Sequence, residues 1–222
     1  VVNTRLCDLK VSLAPFRRQF DRLYRELRAK NIRFRPHFWL STEWFTVDGI
    51  PGVAIPFYLY NEDLMDLERS QMGFVEGSGD YFMKYLRHEV GHAICTAYNL
   101  QRRAAQVFGS FTRPYEDAYV QQTRSPDYVW NLGQSYAQSH PVDDFAETFA
   151  VWLADEARKK WTAGAARKLE FMDRLMATKG PVVYTSRARP HHLKDCTMTL
   201  DEYYIDKLAQ LDQARGKGLV LR

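Results

Sequence analysis

The sequence predicts an α+β domain: a small mixed sheet with an edge strand, a long helix bearing HEVGH, a second helix bearing acids, and a largely helical C-terminal part. Three stretches predict it. Residues 33–60 are rich in aromatic and β-branched residues and broken by turn chemistry, which reads as strands. Residues 81–98 keep helical period around two histidines four apart. HPVDDFAETFAVWL, 140–153, opens with proline and acids and continues with an apolar face, as a buried helix does.

In chain order, residues 12–30 form an amphipathic helix through Phe16, Phe20, Leu23 and Leu27. RFRPHFWLSTEWFTV, 33–47, is strand with an interruption at Pro36, and DGIPG, 48–52, is a turn. VAIPFYLY, 53–60, is a second strand, which Pro56 demotes to an edge. Asn61 opens a short helix through Leu67. GSGD breaks the chain at 77–80, with Asp80 placed to cap the helix of 81–98. Residues 99–135 are a polar excursion with short helical pieces, and a helix follows over 142–157. Residues 180–198 read as loop and the tail from Leu200 as helix. The whole of 1–222 is expected as one domain, with an upper lobe to about 98 and a lower helical lobe from about 99.

Composition narrows the class. With 45% hydrophobic and 14% aromatic residues the chain can bury a core, so disorder is excluded. A net charge of +4 over 222 residues is scattered and predicts no nucleic-acid partner. Cys7, Cys95 and Cys196 form no CxxC pair, which argues against a disulfide framework and for a reducing, cytoplasmic setting. No stretch is long and apolar enough for a membrane span. The N-terminus has no signal layout, and because it lacks Met a removed leader stays open.

The chemistry sits in LRHEVGHAI. His88 and His92 share one helix face and can reach one ion, while Glu89 lies about 100° around and can reach a water without ligating. Two imidazoles that hold zinc beside a glutamate that takes a proton from water are the parts of metal-assisted hydrolysis. The blander alternative is a helix surface with two satisfied histidines. Gly91, inside the motif, predicts that another element packs closely there. A catalytic zinc needs a third protein ligand. Candidates are His140, Glu116, Asp117 and, best, Asp143 or Glu147, which are four apart on one helix face. One of that pair can ligate while the other accepts a hydrogen bond from a ligating histidine. Asp144 reads only as a complement to the helix dipole.

HEVGH followed by DDFAETFAVWL resembles the glutamate-type zinc peptidases (gluzincins), including their lethal-factor-like branch. That resemblance implies a zincin-like fold, Asp143 as ligand, Glu147 as its support, and Tyr136, seven residues before the ligand, as an oxyanion donor. ELRAKNIRFRPHFWLSTEWFTVDGIPGVAIPFYLY, LRHEVGHAI and YAQSHPVDDFAETFAVWL are similar to the bacterial putative zinc-binding metallopeptidase family over nearly the whole chain. Members commonly carry an N-terminal cysteine ribbon, of which residues 1–222 have no trace, and Glu where this chain has Asp143. Aspartate is one methylene shorter, so either the backbone comes closer or Glu147 takes over ligation.

The resemblance implies a zinc-dependent endopeptidase with one catalytic ion, Glu89 as general base and a protein or peptide substrate. Such peptidases hold substrate as an added strand, for which 53–60, with Ala54 and Ile55, is the expected edge, and His140 a further substrate contact. The alternative is a zinc-binding module without turnover. His191 and His192, near Arg187 and Arg189, read as a solvated loop or a cover for the cleft, His37 as a core residue, and Cys95 as packing. Substrate identity and oligomeric state are not encoded in any motif here.

Overall fold

Strand 53–60 is where the chain departs most from expectation, and that departure organises the sheet. The computed structural model describes residues 3–115, 122, 125–133, 136–155, 161, 163–179 and 187–216. Glu116, Asp117 and positions 156–157 lie outside them. Three strands form one mixed sheet: β1 (His37–Ser41), β2 (Phe45–Val47) and β3 (Ile50–Pro56), in the order β1-β3-β2. β3 runs parallel to β1, from His37↔Gly52 to Ser41↔Pro56, and antiparallel to β2, with Phe45↔Ala54 and Val47↔Ile50. The β2–β3 turn uses Gly49 at φ 76°, a left-handed conformation that glycine adopts without strain.

Of residues 53–60, expected as an edge strand, 53–56 instead join 50–52 of the expected turn as the middle strand of the sheet. Pro56 is the last residue of β3, so its missing N–H removes nothing from the interior of the ladder, and Phe57–Tyr60 continue as a 3-10 turn. The expected interrupted strand 33–47 becomes two strands separated by Thr42, Glu43 and Trp44.

Helix α1 (Arg17–Ala29) lays its apolar stripe on the sheet side, where Phe20 stacks on Phe38 with ring centroids 4.0 Å apart. α2 (Glu62–Met72) starts at Asn61, whose side-chain oxygen accepts from the Leu64 N–H at 3.0 Å, and runs past Leu67 to Gly73. α3 (Tyr81–Ala97) packs between β3 and α5 (Pro141–Leu153). Asp80 occupies the N-cap position of α3 but makes no side-chain cap bond. A two-pronged ion pair from Arg87 to Glu26, at 2.8 and 2.7 Å, fixes α3 against α1.

α4 (Gln101–Phe108) lies in the polar excursion. α6 (Ala163–Lys179) occupies a stretch for which the sequence named no individual helix, within the expected helical C-terminal part. α7 (Leu200–Gly216) follows an isolated bridge, Arg5↔Thr199, that ties the N-terminal segment to the tail. No helix among the described residues is long and apolar enough to cross a membrane.

Candidate metal centre and cleft

Gly91 sets how closely the two site-bearing helices approach. A Cβ built there would lie 2.9 Å from Ala146 Cα and 3.2 Å from Phe149 Cβ, so α5 presses its backbone directly on α3. The close approach turns Asp143 and Glu147 of α5 toward His88 and His92 of α3. One ligand atom from each of His88, His92 and Asp143 lies within 4.8 Å of the other two.

Glu147 is fully occupied elsewhere. Its Oε1 accepts from His88 Nδ1 at 2.8 Å and from Asn131 Nδ2 at 2.9 Å. Its Oε2 accepts from the backbone N–H of Leu132 at 2.9 Å and of Asn131 at 3.2 Å. With Glu147 accepting from His88 Nδ1, the Nε2 lone pair of the neutral ring points the other way. That lone pair faces His92 Nε2 at 2.9 Å. Asp143 adds the third donor: Ser139 Oγ donates to its Oδ2 at 2.6 Å, which leaves Oδ1 3.6 Å from His92 Nε2.

The donor set fits a small divalent cation. Two imidazole nitrogens converge with a carboxylate oxygen, and no protein cation satisfies them among the described residues. A two-nitrogen, one-oxygen set is a catalytic zinc set that leaves a coordination position open. Carboxylate support behind a ligating histidine is the usual companion of such a set.

The electrostatics agree. Burial opposes protonation of His88, yet the hydrogen bond and charge of Glu147 carry its pKa above the ordinary value. His92 is pushed well below its ordinary value by burial, then by the charges of His88 and His140. Burial pushes the Glu89 carboxyl up to about 7, against the pull of His88 and with the help of Asp143 and Glu76.

Glu89, His92 and Tyr136 share the wall of a cleft of about 950 Å³ with Phe45 and Thr46 of β2. Tyr136 sits on a 3-10 turn (Tyr136–Gln138), its ring centroid 5.3 Å from that of His88. Of the two sheet edges, β1 is covered: Ser41 Oγ donates to the His191 carbonyl at 2.6 Å, and His37 contacts the Ala188 carbonyl. The histidine–arginine segment of 187–192 therefore covers the sheet rather than lining the cleft. β2 is the edge that meets the cleft.

Of the three residues expected to contact substrate, two are buried in the sheet and the third, His140, lines the cleft. Ala54 and Ile55 are fully buried on a strand paired on both sides, so they offer no edge to a peptide. His140 lines the cleft but spends both ring nitrogens on the backbone. Its Nδ1 accepts from Val142 N–H at 3.2 Å, its Nε2 donates to the Arg113 carbonyl at 2.7 Å, and Tyr115 stacks on the ring at 3.9 Å. Asp144 does more than complement the helix dipole: it is buried and paired with Lys168 Nζ at 2.6 Å, facing away from the histidines.

Sequence reasoning missed Ser139, Asn131 and Leu132. Ser139 stands four residues before Asp143, a spacing that a search for carboxylate partners would find. Asn131 and Leu132 lie in irregular chain without any periodic signal.

The family model described as putative zinc-binding metallo-peptidase matches residues 68–204, which include α3, the Asn131 segment and α5. No curated protein and no solved structure matches the chain. With the match spanning more than half of its length, the chain belongs to the putative zinc-binding metallo-peptidase family.

Proposed function

We propose that this protein is a zinc-dependent peptidase in which His88, His92 and Asp143 hold the ion and Glu89 is the general base. The observation that carries the reading is the convergence of those three donors beside a cleft-facing, buried Glu89. Zinc bound there would supply a Lewis acid that acidifies water and polarises a peptide carbonyl. The residues of the chain do the rest.

Glu147 fixes the tautomer and ring plane of His88, and Ser139 fixes the rotamer of Asp143. Burial raises the proton affinity of Glu89 in the metal-free protein, an environment that helps its carboxylate take a proton and return it. As water adds to the carbonyl carbon, one of its protons passes to Glu89. The same proton passes to the leaving nitrogen as the C–N bond breaks, and the second proton of the water follows from the new carboxyl group to the amine, which gives a carboxylate and an ammonium group. Tyr136, on the same wall, donates in this reading to the oxyanion that develops on the carbonyl; its position in the cleft beside His88 supports the role. The edge of β2, which lines the cleft, takes the peptide as an added strand, the role that β3 cannot play.

Zinc content and cleavage of a mixed peptide pool, measured for the wild type and Glu89→Gln, test the reading. Cleavage by the wild type alone, with zinc held by both, supports it. Zinc held by both without cleavage by either leaves a zinc-binding module and overturns the peptidase.

A further inference from the structure

Lys84 stands four residues before His88 and eight before His92, so the three project from one side of α3. It is half-buried. Among the described residues its ammonium makes one hydrogen bond, to the Asn131 carbonyl at 3.0 Å, and sits 4.8 Å over the Tyr81 ring with no carboxylate in ion-pair reach. The Asn131 carbonyl and the Leu132 N–H belong to one peptide group, and in a trans peptide they point in opposite directions. Leu132 N–H donates to Glu147 Oε2 at 2.9 Å, and Glu147 Oε1 accepts from His88 Nδ1 at 2.8 Å. An unbroken series of hydrogen bonds therefore runs from the Lys84 ammonium through a peptide group and a carboxylate to a histidine of the metal centre. The peptide group has a cation at one end and a carboxylate at the other, so the two bonds polarise it and strengthen each other.

We propose that Lys84 is a positioning residue of the metal centre: through the 131–132 peptide group it sets the grip of Glu147 on His88, and with it the affinity for zinc. The role deepens the peptidase reading and rests on its zinc site. A second set of contacts supports it. Asn131 is buried, and its Nδ2 donates back to the Lys84 carbonyl at 3.3 Å and to Glu147 Oε1 at 2.9 Å. Lys84 and Asn131 thus hold each other, side chain to backbone, and fix an irregular segment against the turn of α3 that precedes His88. An ammonium placed directly on Glu147 would compete with His88 for the carboxylate, as Lys168 claims Asp144 at 2.6 Å. The intervening peptide group passes on the polarisation and leaves Oε1 to the histidine.

The test is a double-mutant cycle read by zinc affinity, in competition with a chelator. It compares the wild type, Lys84→Met, Lys84→Arg, Glu147→Gln, and Lys84→Met combined with Glu147→Gln. Melting curves of the metal-free chains check folding, and Lys84→Gln replaces Lys84→Met if the methionine variant does not fold. Lys84→Met is expected to bind zinc about 3–10-fold more weakly, one link further out than a direct partner, whose loss costs about 10–100-fold. Lys84→Arg keeps a charged donor and is expected to recover the affinity. In the Glu147→Gln background Lys84→Met should change affinity by less than about twofold, because the group it acts through has been altered. Equal losses in both backgrounds, an unchanged affinity in Lys84→Met, or no recovery in Lys84→Arg overturns the role of Lys84 and leaves the zinc site intact. A wild type that holds no zinc overturns both.

Discussion

The two faces of α5 carry buried acids that are answered in opposite ways. On one face Asp144 meets Lys168 Nζ at 2.6 Å, and Lys168 also donates to the Asp127 carbonyl at 2.6 Å. On the other, Asp143 and Glu147 meet, among the described residues, only histidines, a serine, an asparagine and backbone N–H groups. Where the chain supplies its own cation, the acid is a tie between helices. Where it supplies neutral donors and facing lone pairs, the set is built to receive a cation. Burial alone does not distinguish them, since Asp143, Asp144 and Glu147 are all buried.

The comparison breaks most visibly at Lys168. Lys168→Met strands a buried carboxylate and is expected to cost about 3–5 kcal/mol of stability in denaturant unfolding. Zinc affinity per folded chain should stay unchanged, and a loss of zinc from the folded variant would erase the distinction between the faces. Glu147→Gln is the counterpart: it keeps the shape but weakens the hold on His88, with an expected loss of about 10–100-fold in zinc affinity. Competition with a coloured chelator measures it.

Gly91→Ala tests the close approach that brings the acid-bearing face to the histidines. A methyl 2.9 Å from Ala146 Cα must displace backbone, with an expected cost of about 1–3 kcal/mol in place of the usual helix gain of about 1 kcal/mol. A more stable Gly91→Ala protein would show that the helices have room. The smallest effect is in protons. In the metal-free protein His88 and Glu89 both hold protons above their ordinary values, Glu89 near about 7. A cation beside them lowers both, so loading zinc below pH 7 releases protons, and the number released falls as pH rises past that value. Calorimetry in buffers of different ionisation enthalpy reads it, and a release that does not vary with pH contradicts the assignment.

How far the sequence could be read depended on whether a residue's role was periodic. His88, Glu89 and His92 were legible because helix geometry alone puts two rings on one face and the carboxylate beside them. Asp143 and Glu147 were legible as a pair but not as individuals, since both sit on the same face four apart. What separates them is the pair of backbone N–H groups at Asn131 and Leu132, delivered by irregular chain that leaves no pattern. The sheet order was misread for a related reason. Proline in a strand weakens an interior ladder position, but Pro56 is the terminal one, and the boundary was invisible because Phe57–Tyr60 are as apolar as the strand. With β3 central, the proposed substrate edge is β2.

Zinc bound per chain in Asp143→Ala and Glu147→Ala tests the central claim most directly, read by elemental analysis after dialysis against buffered zinc. The wild type should hold one ion, Asp143→Ala should lose it, and Glu147→Ala should keep it at reduced affinity. Zinc retained at full affinity in Asp143→Ala, or lost only in Glu147→Ala, would contradict the assignment of the cation to His88, His92 and Asp143.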